Sequence, residues 1–164
     1  MNSNDFEKLK QKAKNAEASN KVFFAKLKQN KNKNLDDLVQ GFDIEFFSKF
    51  DCLTCANCCR TLGPRLLSKD IERISKFLKI SSSNFIEKYL IIDEDNDYVF
   101  KSMPCPFLES DNYCSVYEVR PKACKDYPHT SQSHFHKILN ETLLNTFYCP
   151  AVYEIVEKLK NKIK

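Results

Sequence analysis

Glycine is almost absent from this chain of 164 residues: Gly41 and Gly63 are the only two. Loops that cradle nucleotide phosphates need several glycines where backbone approaches phosphate, so neither common nucleotide fingerprint can be built here. Long apolar runs are lacking too. The opening MNSNDFEKLKQKAKNAEA holds no run of about seven apolar residues, which argues against a secretory signal or membrane anchor. No later segment approaches the roughly 18 apolar residues of a spanning helix. A cytoplasmic protein without a membrane partner is the expectation.

Apolar residues are nevertheless plentiful. Thirteen Phe and seven Tyr, with many Leu and Ile, supply enough surface to offset the chain entropy of folding, and the length suits one core. Charge is unevenly spread. Residues 1–34 carry nine Lys against three acids and residues 151–164 four Lys against two Glu, so a net charge of +4 conceals an acidic centre.

From Asp5 to about Gln29, Phe6, Leu9, Ala13, Ala16, Phe23 and Leu27 recur at three- and four-residue spacing, which predicts an amphipathic helix with Asn20 in the one polar slot of its stripe. A Lys/Asn run, Gln29 to Asn34, breaks the pattern, and a second helix is expected from Leu35 to about Phe50. Asp51 to Pro64 reads as a loop. Ser68 is the expected cap of a helix burying Ile71, Ile74, Phe77 and Leu78, and Asn84 with Glu87 the expected capping box of a short helix through Leu90. Residues 91–100 read as strand, turn and strand, and a second hairpin is expected across Cys105 to Tyr117. Pro121 suits a helix start. Helices over Ser131 to Thr146 and Pro150 to Ile163 close the chain. The expected fold is mainly α with one or two small β-hairpins (α+β), a small metal-stapled domain over residues 46–164 preceded by an N-terminal helical extension over 1–45.

Eight cysteines in a reducing compartment are read as metal ligands or reactive thiols before disulfides. Cys52, Cys55 and Cys58 form a C-x-x-C-x-x-C run, and Cys59 follows at once. A two-residue gap lets two sulfurs converge on one ion while the backbone N–H groups between them hydrogen-bond the thiolates, as in zinc knuckles and iron–sulfur proteins. Neighbouring side chains are expected to diverge, so Cys58 and Cys59 suggest two metals, one polynuclear cluster, or one metal beside a thiol. Cys105, Cys114, Cys124 and Cys149 lie far along the chain, two of them directly before proline, so the count divides as four in the loop and four beyond it. A lone cysteine is otherwise a small buried hydrophobe.

At these residues the chain resembles the YkgJ-type CxxCxxCC cysteine cluster family, a domain assigned to zinc or iron chelation. The matching features are Cys52, Cys55, Cys58, Cys59 and Arg60, a helix with Ser68, Asp70, Ile71, Arg73 and Ile74, then Cys105-Pro106-Phe107-Leu108, Cys114 with Tyr117, Arg120-Pro121 with Cys124, Lys125, Tyr127 and Pro128, and finally Cys149. Lys125 and Tyr127 stand where Arg and Phe are usual. The likeness spans roughly residues 50–150 and implies zinc or iron as cofactor, or an iron–sulfur cluster, with the eight cysteines as metal ligands. Some relatives are labelled iron–sulfur oxidoreductases and others are associated with methylation of flagellin lysines; the C-x-x-x-C-x-x-C triad of radical enzymes is absent here.

His129, His134 and His136 follow Cys124, and any of them could complete a metal site or simply sit on a polar loop. Arg60 and Arg120 flank proposed ligands, where a guanidinium would offset thiolate charge as a second shell. The basic N-terminal helix reads as a solvated face, so nucleic acid is not the favoured partner; the metal ion is. Three functions remain open on sequence alone: a metal-chelating protein, an enzyme using the same centre, and an interaction module whose metals staple a small fold.

Overall fold

The computed structural model describes residues 3–29 and 34–163. In chain order its elements are α1 (Ser3–Gln29), α2 (Leu35–Phe47), a 3-10 turn (Cys52–Thr54), α3 (Asn57–Thr61), α4 (Ser68–Phe77), α5 (Ser82–Tyr89), β1 (Leu90–Ile92), β2 (Tyr98–Phe100), a 3-10 turn (Tyr117–Val119), α6 (Lys122–Asp126), a 3-10 turn (Phe135–Lys137), α7 (Leu139–Asn145) and α8 (Pro150–Lys162). The chain is therefore mostly helical with one two-stranded antiparallel sheet among the described residues. None of its helices there is long and apolar enough to cross a membrane. Contacts divide it into two compact units, Met1–Cys55 with Pro128–Lys164, and Ala56–Tyr127.

The first unit is a helical layer built on α8. Ala151, Val152, Ile155, Val156 and Leu159 recur every three or four residues on that helix and are all buried, and Pro150 occupies its first turn, where a missing N–H costs nothing. Their partners are Phe23, Phe24 and Leu27 of α1, Leu35 and Val39 of α2, Phe135, and Leu139 of α7, in one core. The apolar stripe of α1 is thus covered within its own unit, by α7 and α8. Asn20, its polar slot, is buried with it. Asp36 in the first turn of α2 accepts hydrogen bonds from the backbone N–H groups of His134 and Phe135 at 2.7 and 2.9 Å, which anchors the loop entering α7. The helix expected over Ser131 to Thr146 is shorter for a local reason: His134 adopts a left-handed conformation, φ 64°, that a continuous helix cannot contain. Leu144 points to solvent rather than into the core. α2 stops at Phe47, where Ser48 turns its hydroxyl back to the Glu45 carbonyl. The Lys/Asn run lies mostly outside the described residues.

The second unit packs α4 and α5 on the hairpin. Ile71, Ile74, Phe85, Leu90, Phe100, Phe107, Val116 and Leu66 form its core. Phe107 is the hub: its ring stacks parallel on Phe85 at 6.2 Å between centroids and meets Tyr89 and Phe100 at 5.1 and 5.7 Å. β1 and β2 pair in the register Leu90↔Phe100, Ile91↔Val99, Ile92↔Tyr98, which puts Leu90 and Phe100 on the buried face. Two caps differ from expectation. α4 is capped at Leu67, whose N–H donates to the Asp70 carboxylate at 3.0 Å, and Ser68 is the first residue of the helix rather than its cap. α5 is capped by Ser81, whose hydroxyl accepts from the Asn84 N–H at 3.1 Å, three residues before the expected cap. Pro121 likewise precedes α6 rather than opening it.

Candidate metal centre

Backbone held by the aromatic core places four cysteines of the second unit within electrostatic reach of one another. Phe107, buried at the hub, fixes the Cys105-Pro106 segment beside it, and the Cys105 N–H donates to the Cys59 carbonyl at 2.8 Å. The same strand segment folds back on itself: Leu108 bridges Cys114, the Ser115 N–H donates to the Phe107 carbonyl at 2.9 Å, and the Glu109 N–H to the Tyr113 carbonyl at 2.8 Å. This is the second hairpin in minimal form, and it sets Cys114 across from Leu108. Cys124 is carried by α6.

Electrostatics show which sulfurs share a neighbourhood. Burial pushes the Cys124 thiol up to about 12, and negative charge on Cys59, Cys105 and Cys114 adds to the shift while Arg120 opposes it. Burial likewise pushes Cys105 up to about 11, helped by Cys59 and Cys114. Cys114 is raised by burial against hydrogen bonding from the Val116 backbone, with charge on Cys59 adding and Arg120 opposing. Cys59 alone is lowered, to about 7, chiefly by its hydrogen bond with Cys58, with the Arg60 guanidinium assisting and burial opposing. Cys59, Cys105, Cys114 and Cys124 thus form one mutually repelling set when ionised. Bringing a cation among them would relieve that repulsion.

The adjacent pair does not diverge as expected. Cys58 Sγ and Cys59 Sγ lie 3.9 Å apart. Two sulfurs each about 2.3 Å from one tetrahedral ion would be separated by roughly 3.8 Å, so the pair already has the spacing of a coordination edge. Ala56, in a left-handed conformation at φ 49°, turns the chain into the short helix that carries both thiols.

The first unit holds a second, smaller grouping. Cys52 opens a 3-10 turn capped by the Asp51 carboxylate, which accepts from the Leu53 N–H at 2.9 Å, and the Cys55 N–H returns to the Cys52 carbonyl at 3.0 Å. Cys149 stands at the N-terminus of α8, and its thiol is pushed up to about 12 by burial. Hydrogen bonding from the Val152 and Ala151 backbone counters this rise, whereas charge on Cys52 and Cys55 reinforces it. Cys149 thus lies within electrostatic reach of Cys52 and Cys55 at the opening of the loop, and Cys105, Cys114 and Cys124 within reach of Cys59 at its end.

The two arginines lie beside thiols. Arg60 donates to the Asn112 side-chain oxygen and lowers Cys59; Arg120 stacks on the Tyr117 ring at 3.9 Å and opposes the rise of Cys114 and Cys124. The His134 and His136 rings meet edge to face at 6.0 Å between centroids, both exposed, while His129 is half-buried in a left-handed turn.

By donor chemistry the second-unit set fits zinc or iron, both of which take soft thiolates. By position it is not closed: among the described residues no three His, Cys, Asp or Glu groups form a ready-made site. All eight cysteines are thiols rather than disulfides. Asn112, which sequence reasoning passed over, holds Arg60, and Asp70, named above only as part of the family pattern, is a buried acceptor.

Residues 51–149 match the CxxCxxCC family, described as a "putative zinc- or iron-chelating domain". That match covers more than half of the chain, and the protein belongs to this family. Metal binding is what the description assigns to the domain. No match was found among curated proteins or among solved structures.

Proposed function

We propose that the chain binds zinc or iron through cysteine thiolates, with Cys59, Cys105, Cys114 and Cys124 as one ligand set, Cys58 beside it, and Cys52, Cys55 and Cys149 as a second. The observation that carries this reading is the match of residues 51–149 to the chelating domain, and the backbone that ties Cys105 to Cys59 and sets Cys114 across from Leu108 supports this choice of ligands. Arg60 and Arg120 would trim the remaining negative charge. Bound there, zinc would cross-link the loops that bear the thiols, and iron, alone or as an iron–sulfur centre, would add one-electron chemistry. Loading converts raised thiols to thiolates, so each raised ligand releases its proton on binding. The test is elemental analysis and an optical spectrum of protein purified without oxygen. More than one zinc or iron per chain is expected, with visible absorption if the centre is iron–sulfur. One zinc and no iron per chain would remove the second ligand set from the proposal, and no metal would remove the proposal itself.

A further inference from the structure

The segment that delivers Cys124 is held by two side chains of α4, Asp70 and Arg73. Asp70 is 2% exposed, and its carboxylate is fully used: one oxygen accepts from the Leu67 N–H at 3.0 Å, the other from the Lys122 N–H at 3.0 Å and from Arg73 Nη2 at 2.6 Å. Arg73 continues the grip, donating through Nη2 to the Arg120 carbonyl at 2.9 Å and through Nε to the Val119 carbonyl at 3.3 Å. Backbone groups at 119, 120 and 122 are therefore fixed in a row by one carboxylate and one guanidinium. The chain then enters α6, in which Cys124 is the third residue. A planar guanidinium with several N–H donors is suited to bridging a carboxylate and two carbonyls at once, whereas an ammonium is not.

Resting on the chelation reading above, we infer that Asp70 and Arg73 are positioning residues for Cys124: they lock the start of α6 so that this thiol is presented to the Cys59, Cys105 and Cys114 set. An ordinary helix-capping role would need only the Leu67 bond. The bonds to Lys122, Val119 and Arg120 reach across about fifty residues of sequence to one short stretch, and that stretch leads directly into a proposed ligand.

The test uses the full chain with Co²⁺ as a spectroscopic stand-in for zinc. Arg73 is 41% exposed, so Arg73→Met removes the guanidinium's share of the grip, its bonds to Asp70 and to the Val119 and Arg120 carbonyls, without opening a buried hole, and leaves the Lys122 N–H on Asp70. The expected result is cobalt affinity lowered about tenfold, as for loss of an outer-shell partner. The sulfur-to-cobalt absorption should be reduced to the level of Cys124→Ser, with helical circular dichroism unchanged. In metal-stripped protein, Cys124 should also react faster with iodoacetamide, read by mass spectrometry of its peptide. Should Arg73→Met not fold, Arg73→Lys takes its place, keeping one donor and the charge, and is expected to show the same loss to a smaller degree. Wild-type cobalt affinity, spectrum and Cys124 reactivity in the variant would overturn the positioning role. Failure of the wild-type chain to take up cobalt, zinc or iron would overturn chelation instead, while the alkylation rate would still report on the grip.

Discussion

Replacing Asn20 with leucine should stabilise the protein. Asn20 is 0% exposed, and neither its Oδ1 nor its Nδ2 has a hydrogen-bond partner among the described residues. It lies in the stripe that α1 buries, followed by Phe23 and Phe24, both in the core shared with α8. A buried polar group left unpaired costs about 1–3 kcal/mol, and leucine keeps the branched shape of asparagine with bulkier tips, so the substitution removes that cost and adds apolar burial at the expense of tighter packing. Some strain in an already packed layer works against it, by about 1 kcal/mol or more. A net gain of about 1–3 kcal/mol is expected. At this chain length that corresponds to a rise in melting temperature of roughly 2–4 °C per kcal/mol. Urea unfolding followed by circular dichroism measures it directly, as a higher midpoint at an unchanged slope. A neutral or destabilising Asn20→Leu would refute the reasoning, because it would mean that the amide is satisfied in solution, that α1 does not dock on α7 and α8, or that packing strain outweighs the relieved polar cost.

The thiols should differ in reactivity and in their response to pH. In metal-stripped protein near pH 7.5, Cys59, lowered to about 7, should be alkylated well before Cys124 and Cys149, both raised to about 12; peptide mass spectrometry after short exposure gives the order, and equal rates would contradict it. Because folding raises Cys105, Cys124 and Cys149 above the ordinary thiol value of 9, the folded chain holds protons that the unfolded chain has lost at alkaline pH. The metal-stripped protein should therefore keep its stability up to about pH 9 and lose it progressively as pH rises towards the folded values, a trend that melting curves would reveal and that a flat profile would deny. A truncation beginning at Leu35 uncovers Leu139, Val152 and Ile155, and the shortened chain should aggregate or melt at lower temperature; a fully monomeric, equally stable product would show that α1 contributes nothing to this core.

Local pattern carried much of the fold. α1, α2, α8 and the β1–β2 hairpin follow from periodicity and turn residues, because their apolar faces are written at short spacing and each packs one face. The caps of α4 and α5 were legible only to within three residues. Asp70 reaches back to Leu67 while also accepting from Lys122, and no spacing rule announces a carboxylate shared between two distant segments. The cysteines themselves stand out at once, but their grouping does not. That Cys149 sits with Cys52 and Cys55, whereas Cys105, Cys114 and Cys124 sit with Cys59, depends on how α8 and the Phe107 hub bring remote chain together. The closeness of Cys58 and Cys59 was hidden for a different reason: it comes from the left-handed turn at Ala56 and the short helix after it, a conformation that the run C-A-N-C-C does not advertise.

The claim that thiolates hold the metal is tested most directly by X-ray absorption at the zinc or iron edge of protein isolated without oxygen. Chelation through the cysteine sets predicts a first coordination shell dominated by sulfur at about 2.3 Å, which weakens when Cys124→Ser and Cys149→Ser are combined. A shell of nitrogen and oxygen at about 2.0–2.2 Å, unchanged by those substitutions, would contradict it.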